Sequence, residues 1–69
     1  MSVQHLGYII KSRRDFLKLT QADLSEMSGV NMRTIHLIEN GEGNPSLLTL
    51  EKLLTVLGME ISVQLKTID

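Results

Sequence analysis

The sequence contains no cysteine, and aromatic residues make up only 3% of its 69 positions. Without cysteine the chain has no disulfides or thiolate metal sites, which often hold proteins of this length together. Because aromatic residues are scarce, the core must be built from leucine, isoleucine, valine and methionine. A chain this short buries only about 60% of its unfolded surface, so helix packing or association with a second copy must supply its stability.

Signals of membrane insertion and of catalysis are also missing. The apolar runs are short, such as Leu53-Leu54, so we expect no signal peptide, no membrane partner, and a cytoplasmic, nucleoid-associated protein. Because there is no cysteine nucleophile, Gly-x-Ser-x-Gly motif, phosphate-binding glycine loop or clustered acid pair, we expect no catalytic residues, no enzymatic activity and no cofactor. His5 and His36 are far apart in the sequence, so no metal site is expected.

Charge is unevenly distributed along the chain. The formal net charge of −1 by itself weighs against a nucleic-acid partner. Residues 1–36, however, carry five lysines and arginines against three acids, a net +2, whereas residues 37–69 carry two against five, a net −3. DNA binding depends on where positive charge lies rather than on its sum, so the N-terminal half is a candidate for that role. A solvated mixture of charges is the alternative.

Apolar spacing and capping residues predict four helices. They cover residues 6–18, 21–28 and 32–39, and a segment that begins between residues 46 and 49 and ends at Gly58. Thr20 and Asp23 have the spacing of a capping box at the start of the second helix. Gly29 permits a left-handed residue at its end, and Asn31 can cap the third helix.

The spacing of apolar residues changes near the end of the sequence. Residues 60–66 alternate polar and apolar side chains, with Ile61, Val63 and Leu65 on one face, which indicates a β-strand. A single strand has no partner within its own chain, and its unpaired edge favours pairing with a second copy. These three residues are therefore expected to form a dimer contact. The sequence divides into a DNA-binding domain at residues 1–58 and a dimerisation strand and tail at residues 59–69.

The most informative segment is the twenty residues from Gln21 to Asn40. Two eight-residue helices joined by a tight turn must cross steeply. Such a crossing requires a small residue where the helices meet, a glycine in the turn, and apolar residues that face the first helix. The sequence supplies these as Ser25, Gly29, Val30, Ile35 and Ile38. This spacing is typical of the DNA-binding helix-turn-helix.

Together with three short motifs, these positions give the sequence a resemblance to the Xre, or phage-repressor-like, helix-turn-helix family over about residues 6–58. The motifs are Leu19-Thr20-Gln21, Glu39-Asn40-Gly41 and Asn44-Pro45-Ser46-Leu47. The resemblance implies a mainly α, lambda-repressor-like DNA-binding domain of four to five helices. Followed directly by the strand at residues 60–66, the domain is similar to the HipB-like antitoxins. In that subgroup the C-terminal β-strand pairs with its copy across a homodimer.

The resemblance also implies roles for individual residues. The third helix becomes the recognition helix in the major groove, and its base-reading residues are Asn31, Met32, Arg33 and His36. The implied phosphate contacts are Gln21, Thr34 and Asn40. Arg14 and Glu39 are expected to form a structural salt bridge between the first helix and the end of the third. Alternatives stay open, since Asn31 can serve only as a helix cap, and Gln21 and His36 only as solvated side chains.

The function implied is that of a sequence-specific transcriptional repressor that binds a palindromic operator in double-stranded DNA as a homodimer. Similarity to the HipB-like subgroup adds an antitoxin role, with a HipA-type kinase toxin as protein partner and repression of its own operon. One alternative is a stand-alone Xre-family regulator without a toxin. The other is a helix-turn-helix module used only for protein interaction.

Overall fold

The chain folds into helices joined by short turns. The computed structural model describes residues 2–67, in which there are four helices and no strand. The helices are α1 at Val3–Phe16, α2 at Gln21–Ser28, α3 at Met32–Glu39 and α4 at Leu47–Val56. The predicted mainly α fold is therefore confirmed. None of these helices is both long enough and apolar enough to cross a membrane.

The ends of α2 and α4 follow their capping residues. The Thr20 hydroxyl accepts a hydrogen bond from the Asp23 N–H at 2.9 Å, and the Asp23 carboxylate accepts one from the Thr20 N–H at 2.8 Å. Gly29 ends α2 with a left-handed backbone, at a φ of 75°. Of the two candidate caps for α4, Ser46 is the one used, since its hydroxyl accepts from the Thr49 N–H at 3.1 Å.

Both ends of α1 differ from the prediction of residues 6–18. The helix begins at Val3 because the Ser2 hydroxyl accepts a hydrogen bond from the His5 N–H at 3.0 Å, which caps an additional turn. It ends at Phe16 because Lys18 adopts a φ of 58°, which turns the chain out of the helical path. Apolar spacing detects the buried part of a helix, so it missed a solvated first turn held by a serine cap.

Eight aliphatic side chains, each no more than 7% exposed, form the core. They come from all four helices, the α2–α3 turn and the end of α4, and are Ile10, Leu24, Val30, Ile35, Ile38, Leu53, Leu54 and Leu57. The expected aliphatic core is therefore present, but none of these eight side chains is the methionine that was also expected. Burying each such side chain contributes about 1.5–3 kcal/mol, and the two isoleucines of α3 fix which side of that helix faces inward.

Gly7 lies where α1 approaches α3 most closely. A Cβ atom at this position would overlap the carbonyl oxygen of Ile38. One turn earlier on α1, Gln4 lies against Gly41, where an added Cβ would be 2.9 Å from the Gln4 Cγ. Gln4, Gly7 and Arg14 therefore share the side of α1 that faces α3, which we call the α1–α3 seam. At Gly7 the two backbones lie close together without a side chain of α1 between them.

The C-terminal segment leaves the helical domain without joining a sheet. No strand forms over residues 59–67, because strand hydrogen bonds need a partner that a single chain does not supply. Met59 and Ile61 line a mainly apolar groove of about 220 Å³ with Leu6 and Leu54. Farther along, Val63 is 96% exposed. The predicted pairing across a dimer is not present in the single chain, and residues 68 and 69 of the predicted tail lie outside the described residues.

Replacing Gly7 with alanine is expected to destabilise the fold by about 1–3 kcal/mol, because the methyl group forces α1 away from α3. Helix propensity alone predicts the opposite sign, since alanine stabilises a helix interior by about 1 kcal/mol relative to glycine. Urea unfolding measures the difference. Ser12→Ala on the exposed side of α1 is the control and should change stability by less than about 0.5 kcal/mol. A Gly7→Ala variant more stable than wild type would exclude this close packing.

Candidate nucleic-acid interface

The turn between α2 and α3 fixes the crossing of the two helices. The Gly29 N–H donates to the Ser25 carbonyl at 2.9 Å. The Ser25 hydroxyl donates to the Val30 carbonyl, and the Val30 N–H donates to the Ser28 hydroxyl at 3.1 Å. Val30 is itself part of the core. Because the backbone of Val30 is hydrogen-bonded on both sides and its side chain is buried, α3 leaves the turn in a defined direction.

One side of α3 is exposed to solvent, opposite the buried Ile35 and Ile38. The helical repeat places its residues within an arc of about 100°. They are Met32, Arg33, His36 and Asn40. Met32 is 48% exposed despite being apolar. The structure thus brings three of the predicted base-reading residues onto one face, with the exposed Asn31 at its N-terminal end.

Hydrogen bonds within α3 already engage several of these polar groups. The Asn31 side-chain oxygen accepts from the Arg33 N–H at 2.7 Å, so Asn31 is the helix cap. The Asn40 amide nitrogen lies 3.1 Å from the His36 Nε2, which ties these two side chains together. The Arg33 guanidinium has no hydrogen bond or ion pair within residues 2–67. Unlike Asn31, His36 and Asn40, Arg33 therefore has no side-chain polar atom engaged by a neighbouring residue, and its donors are free to bind a ligand.

A buried network connects α3 to the other helices behind the exposed face. The Arg14 guanidinium donates to both carboxylate oxygens of Glu39, at 2.7 and 2.9 Å, and to the Leu19 carbonyl at 2.6 Å. The Gln21 amide donates to the same carboxylate at 3.1 Å. Arg14 and Glu39 are each only 8% exposed. The network therefore joins α1, α2 and α3 at one point, and Glu39 is its common acceptor.

The protonation of Glu39 reflects two opposing effects. Burial raises the pKa of its carboxyl, but hydrogen bonds from Arg14 and Gln21 and the charges of Arg14 and Lys11 outweigh it and hold the pKa below 4.5. The hydrogen bond to Glu39 also raises the pKa of Arg14. Each partner thus favours the charged form of the other, and the pair is ionised at neutral pH.

The predicted phosphate contacts are in three different situations. Gln21 begins α2, but its side chain is bound to Glu39, so the helix start presents only the backbone N–H groups of residues 21 and 22, because Thr20 accepts hydrogen bonds from the next two. Asp23 lies at the same helix end; hydrogen bonds from the Thr20 backbone and hydroxyl lower its pKa and keep it negative. Thr34 is half-buried beside a hollow of about 120 Å³ near Pro45. Asn40 is exposed but bonded to His36.

Two contacts between helices were not predicted from the sequence. One is the bond from Gln21 to Glu39. The other is the bond from the Arg13 Nε to the Leu57 carbonyl at 3.0 Å, which places a cation at the C-terminal end of α4. Both depend on how separate helices pack, and no local motif signals them. Within residues 2–67, no three histidine or acidic side chains cluster to hold a metal ion.

A helix-turn-helix whose second helix is exposed is the defining structural feature of a large class of DNA-binding regulators. Comparison with protein families agrees, since the model of the helix-turn-helix family matches residues 10–64, from within α1 to the C-terminal segment. The chain belongs to the Xre, lambda-repressor-like helix-turn-helix family. No curated protein matches it.

Glu39→Gln is expected to remove part of the acid sensitivity of the fold. Because the folded pKa of Glu39 lies below its unfolded value of 4.5, its carboxylate stabilises the fold above that pH. This stabilisation is lost as the pH falls from 4.5 through the folded pKa. The variant should be less stable than wild type at neutral pH, with a flatter decline in acid. Urea unfolding between about pH 3 and 7 measures both effects.

The exposed acid Glu42, just beyond α3, provides the control as Glu42→Gln. If the stability curves of wild type and Glu39→Gln run parallel across the acid range, the assigned role of the Glu39 carboxylate is wrong.

Proposed function

We propose that the protein is a sequence-specific transcriptional repressor that binds a palindromic operator in double-stranded DNA as a homodimer, in the cytoplasm at the nucleoid. The α3 helix enters the major groove, and the start of α2 faces the phosphate backbone. In the dimer, two α3 helices read half-sites one helical turn, or about 34 Å, apart. Phosphate contacts supply most of the affinity, and the exposed residues of α3 supply the specificity.

The observation that carries this proposal is the free guanidinium of Arg33 on the exposed face of α3. Arginine can donate two hydrogen bonds to the O6 and N7 atoms of guanine, the commonest specific contact in the major groove. The neighbouring Met32 offers an apolar side chain to a thymine methyl group. Asn31 orients the start of the helix through its cap, while its amide nitrogen is free to face a base. His36 completes the face, held in place by Asn40.

Arg33→Ala is expected to weaken operator binding by about 1–3 kcal/mol for each half-site and to relax the base preference at one position, as loss of a bidentate contact should. Arg33→Lys is the matched variant. It keeps the charge, so it should retain the salt dependence of wild type while losing specificity. Fluorescence anisotropy with operator and scrambled duplexes, at two salt concentrations, measures both quantities. An equal loss on both duplexes would assign Arg33 to the phosphate backbone instead.

Dimerisation is proposed to occur through residues 60–66 together with the adjoining groove. Val63 and Leu65 are 96% and 99% exposed, more than is usual for two apolar residues of one segment. The neighbouring Ile61 and Met59 line the apolar groove beside Leu6. Pairing of this segment with its copy would satisfy its backbone hydrogen bonds and cover these side chains. The dimer would also set the spacing of the two α3 helices.

Val63→Pro is expected to shift the protein from dimer to monomer, because proline removes a backbone donor from the paired strands. Val63→Thr keeps both the N–H group and the β-branched shape and should leave the dimer intact. Sedimentation velocity over a range of protein concentrations distinguishes the two variants. A dimer that survives in Val63→Pro places the interface elsewhere on the molecule.

The finer proposal is that this repressor is the antitoxin of a HipBA-like operon and binds a HipA-type kinase toxin. Its support is the resemblance of the helix-turn-helix followed directly by the alternating segment at residues 60–66. A kinase-like gene adjacent to this one, whose product co-purifies with the protein, would support the antitoxin role. With no such gene, a stand-alone Xre-family regulator is favoured. If the folded wild-type protein binds neither duplex, the hypothesis of a protein-interaction module is favoured instead.

A further inference from the structure

Lys11 lies on the α1–α3 seam, although no motif singles it out. Gly7 lies four residues earlier and contacts Ile38, and Arg14 lies three residues later and binds Glu39. Helix positions separated by four and three residues share a face, so Lys11 lies between these two contacts, beside the C-terminal end of α3. The electrostatic influence of Lys11 on Glu39 agrees with this placement.

The Lys11 ammonium group has no structural partner at this position. Its side chain is exposed, and it forms no hydrogen bond or ion pair within the part of the chain that the structure describes. The Glu39 carboxylate already accepts three hydrogen bonds, two from Arg14 and one from Gln21. Lys11 is therefore not needed to satisfy that carboxylate, and its three donors are free to bind an anion.

A surface that binds DNA needs free positive charge. The three phosphate contacts implied by resemblance, Gln21, Thr34 and Asn40, are all neutral. The charge of Arg14 is paired with Glu39, and that of Arg33 lies on the base-reading face. Affinity for DNA comes mainly from cations that neutralise phosphates and release counterions. Glu39, the acid whose charge Lys11 influences, contacts Gln21 and directly precedes Asn40, so two of the neutral candidates adjoin the end of α3.

We propose that Lys11 binds a phosphate of the DNA backbone and provides the cationic phosphate contact of α1. The contact lies where the end of α3 meets the start of α2, so it would clamp one strand at the edge of the major groove. It carries no base specificity, because every phosphate presents the same charge. The inference rests on the proposed DNA-binding function.

The test is Lys11→Gln, compared with wild type by fluorescence anisotropy on operator and scrambled duplexes over a series of salt concentrations. We expect the slope of log affinity against log salt to fall by about 0.9 for each subunit, and the affinity to fall about eightfold per subunit at roughly 0.1 M salt. Operator and scrambled DNA should be affected equally. Lys11→Arg should restore both quantities. Lys52→Gln, the same change at an exposed site on α4, should leave the salt slope unchanged.

The other outcomes identify which step fails. An unchanged salt slope in Lys11→Gln overturns the contact, while tight binding by wild type would leave the proposed function intact. A salt slope that stays unchanged while thermal stability falls would make Lys11 a structural partner of Glu39, which also overturns the proposal. If wild-type protein binds neither duplex at low salt, the DNA-binding function fails, and the Lys11 contact fails with it.

Discussion

The buried ion pair between Arg14 and Glu39 fixes the C-terminal end of α3 against the other helices of the DNA-binding unit. Desolvating two charges costs several kcal/mol per ion, and their attraction offsets this only when their remaining hydrogen-bonding groups are also satisfied. Here Glu39 accepts three hydrogen bonds, and Arg14 also donates to the Leu19 carbonyl. The ion pair is therefore well supplied with hydrogen bonds although it is almost fully buried, and it can hold the three helices in fixed relative positions. Since Glu39 is the last residue of α3, the ion pair holds that end of the helix and helps to set the direction in which its exposed face points.

The Glu39 carboxylate of this ion pair also limits which ligands the Gln21 side chain can bind. Its amide nitrogen donates to Glu39, so the side chain that resemblance assigns to a phosphate also holds α2 against α3. A phosphate at the start of α2 can be bound by the backbone N–H groups without breaking this bond. Binding through the side-chain nitrogen would instead remove a donor from a buried carboxylate, which is costly. Under the proposed function, a phosphate at this helix end would be held by the backbone, with Gln21 as support for the helix end.

Local and tertiary features differed in how far sequence could predict them. The ranges of α2 and α3, the left-handed Gly29 and the Asn31 cap were predicted correctly because each depends on neighbouring residues. The close contact at Gly7 and the Gln21–Glu39 bond depend on how separate helices pack, so no local sequence pattern predicts them. The alternation at residues 60–66 describes what the segment would do beside a partner strand, and a single chain does not contain that partner.

The segregated charge reconciles a slightly acidic protein with a DNA partner. The net −3 of residues 37–69 includes Glu39, which Arg14 neutralises, while Glu51 and Glu60 lie on α4 and the C-terminal segment. Four of the five cations of residues 1–36 lie on α1 or in the turn before α2, and Arg33 lies on the exposed face of α3. With a net charge near zero, long-range attraction to DNA is weak, and the asymmetry acts mainly by orienting the protein as it approaches. Under the proposed function, weak attraction would limit non-specific binding, and discrimination between operator and bulk DNA would come from contacts made at short range by α3.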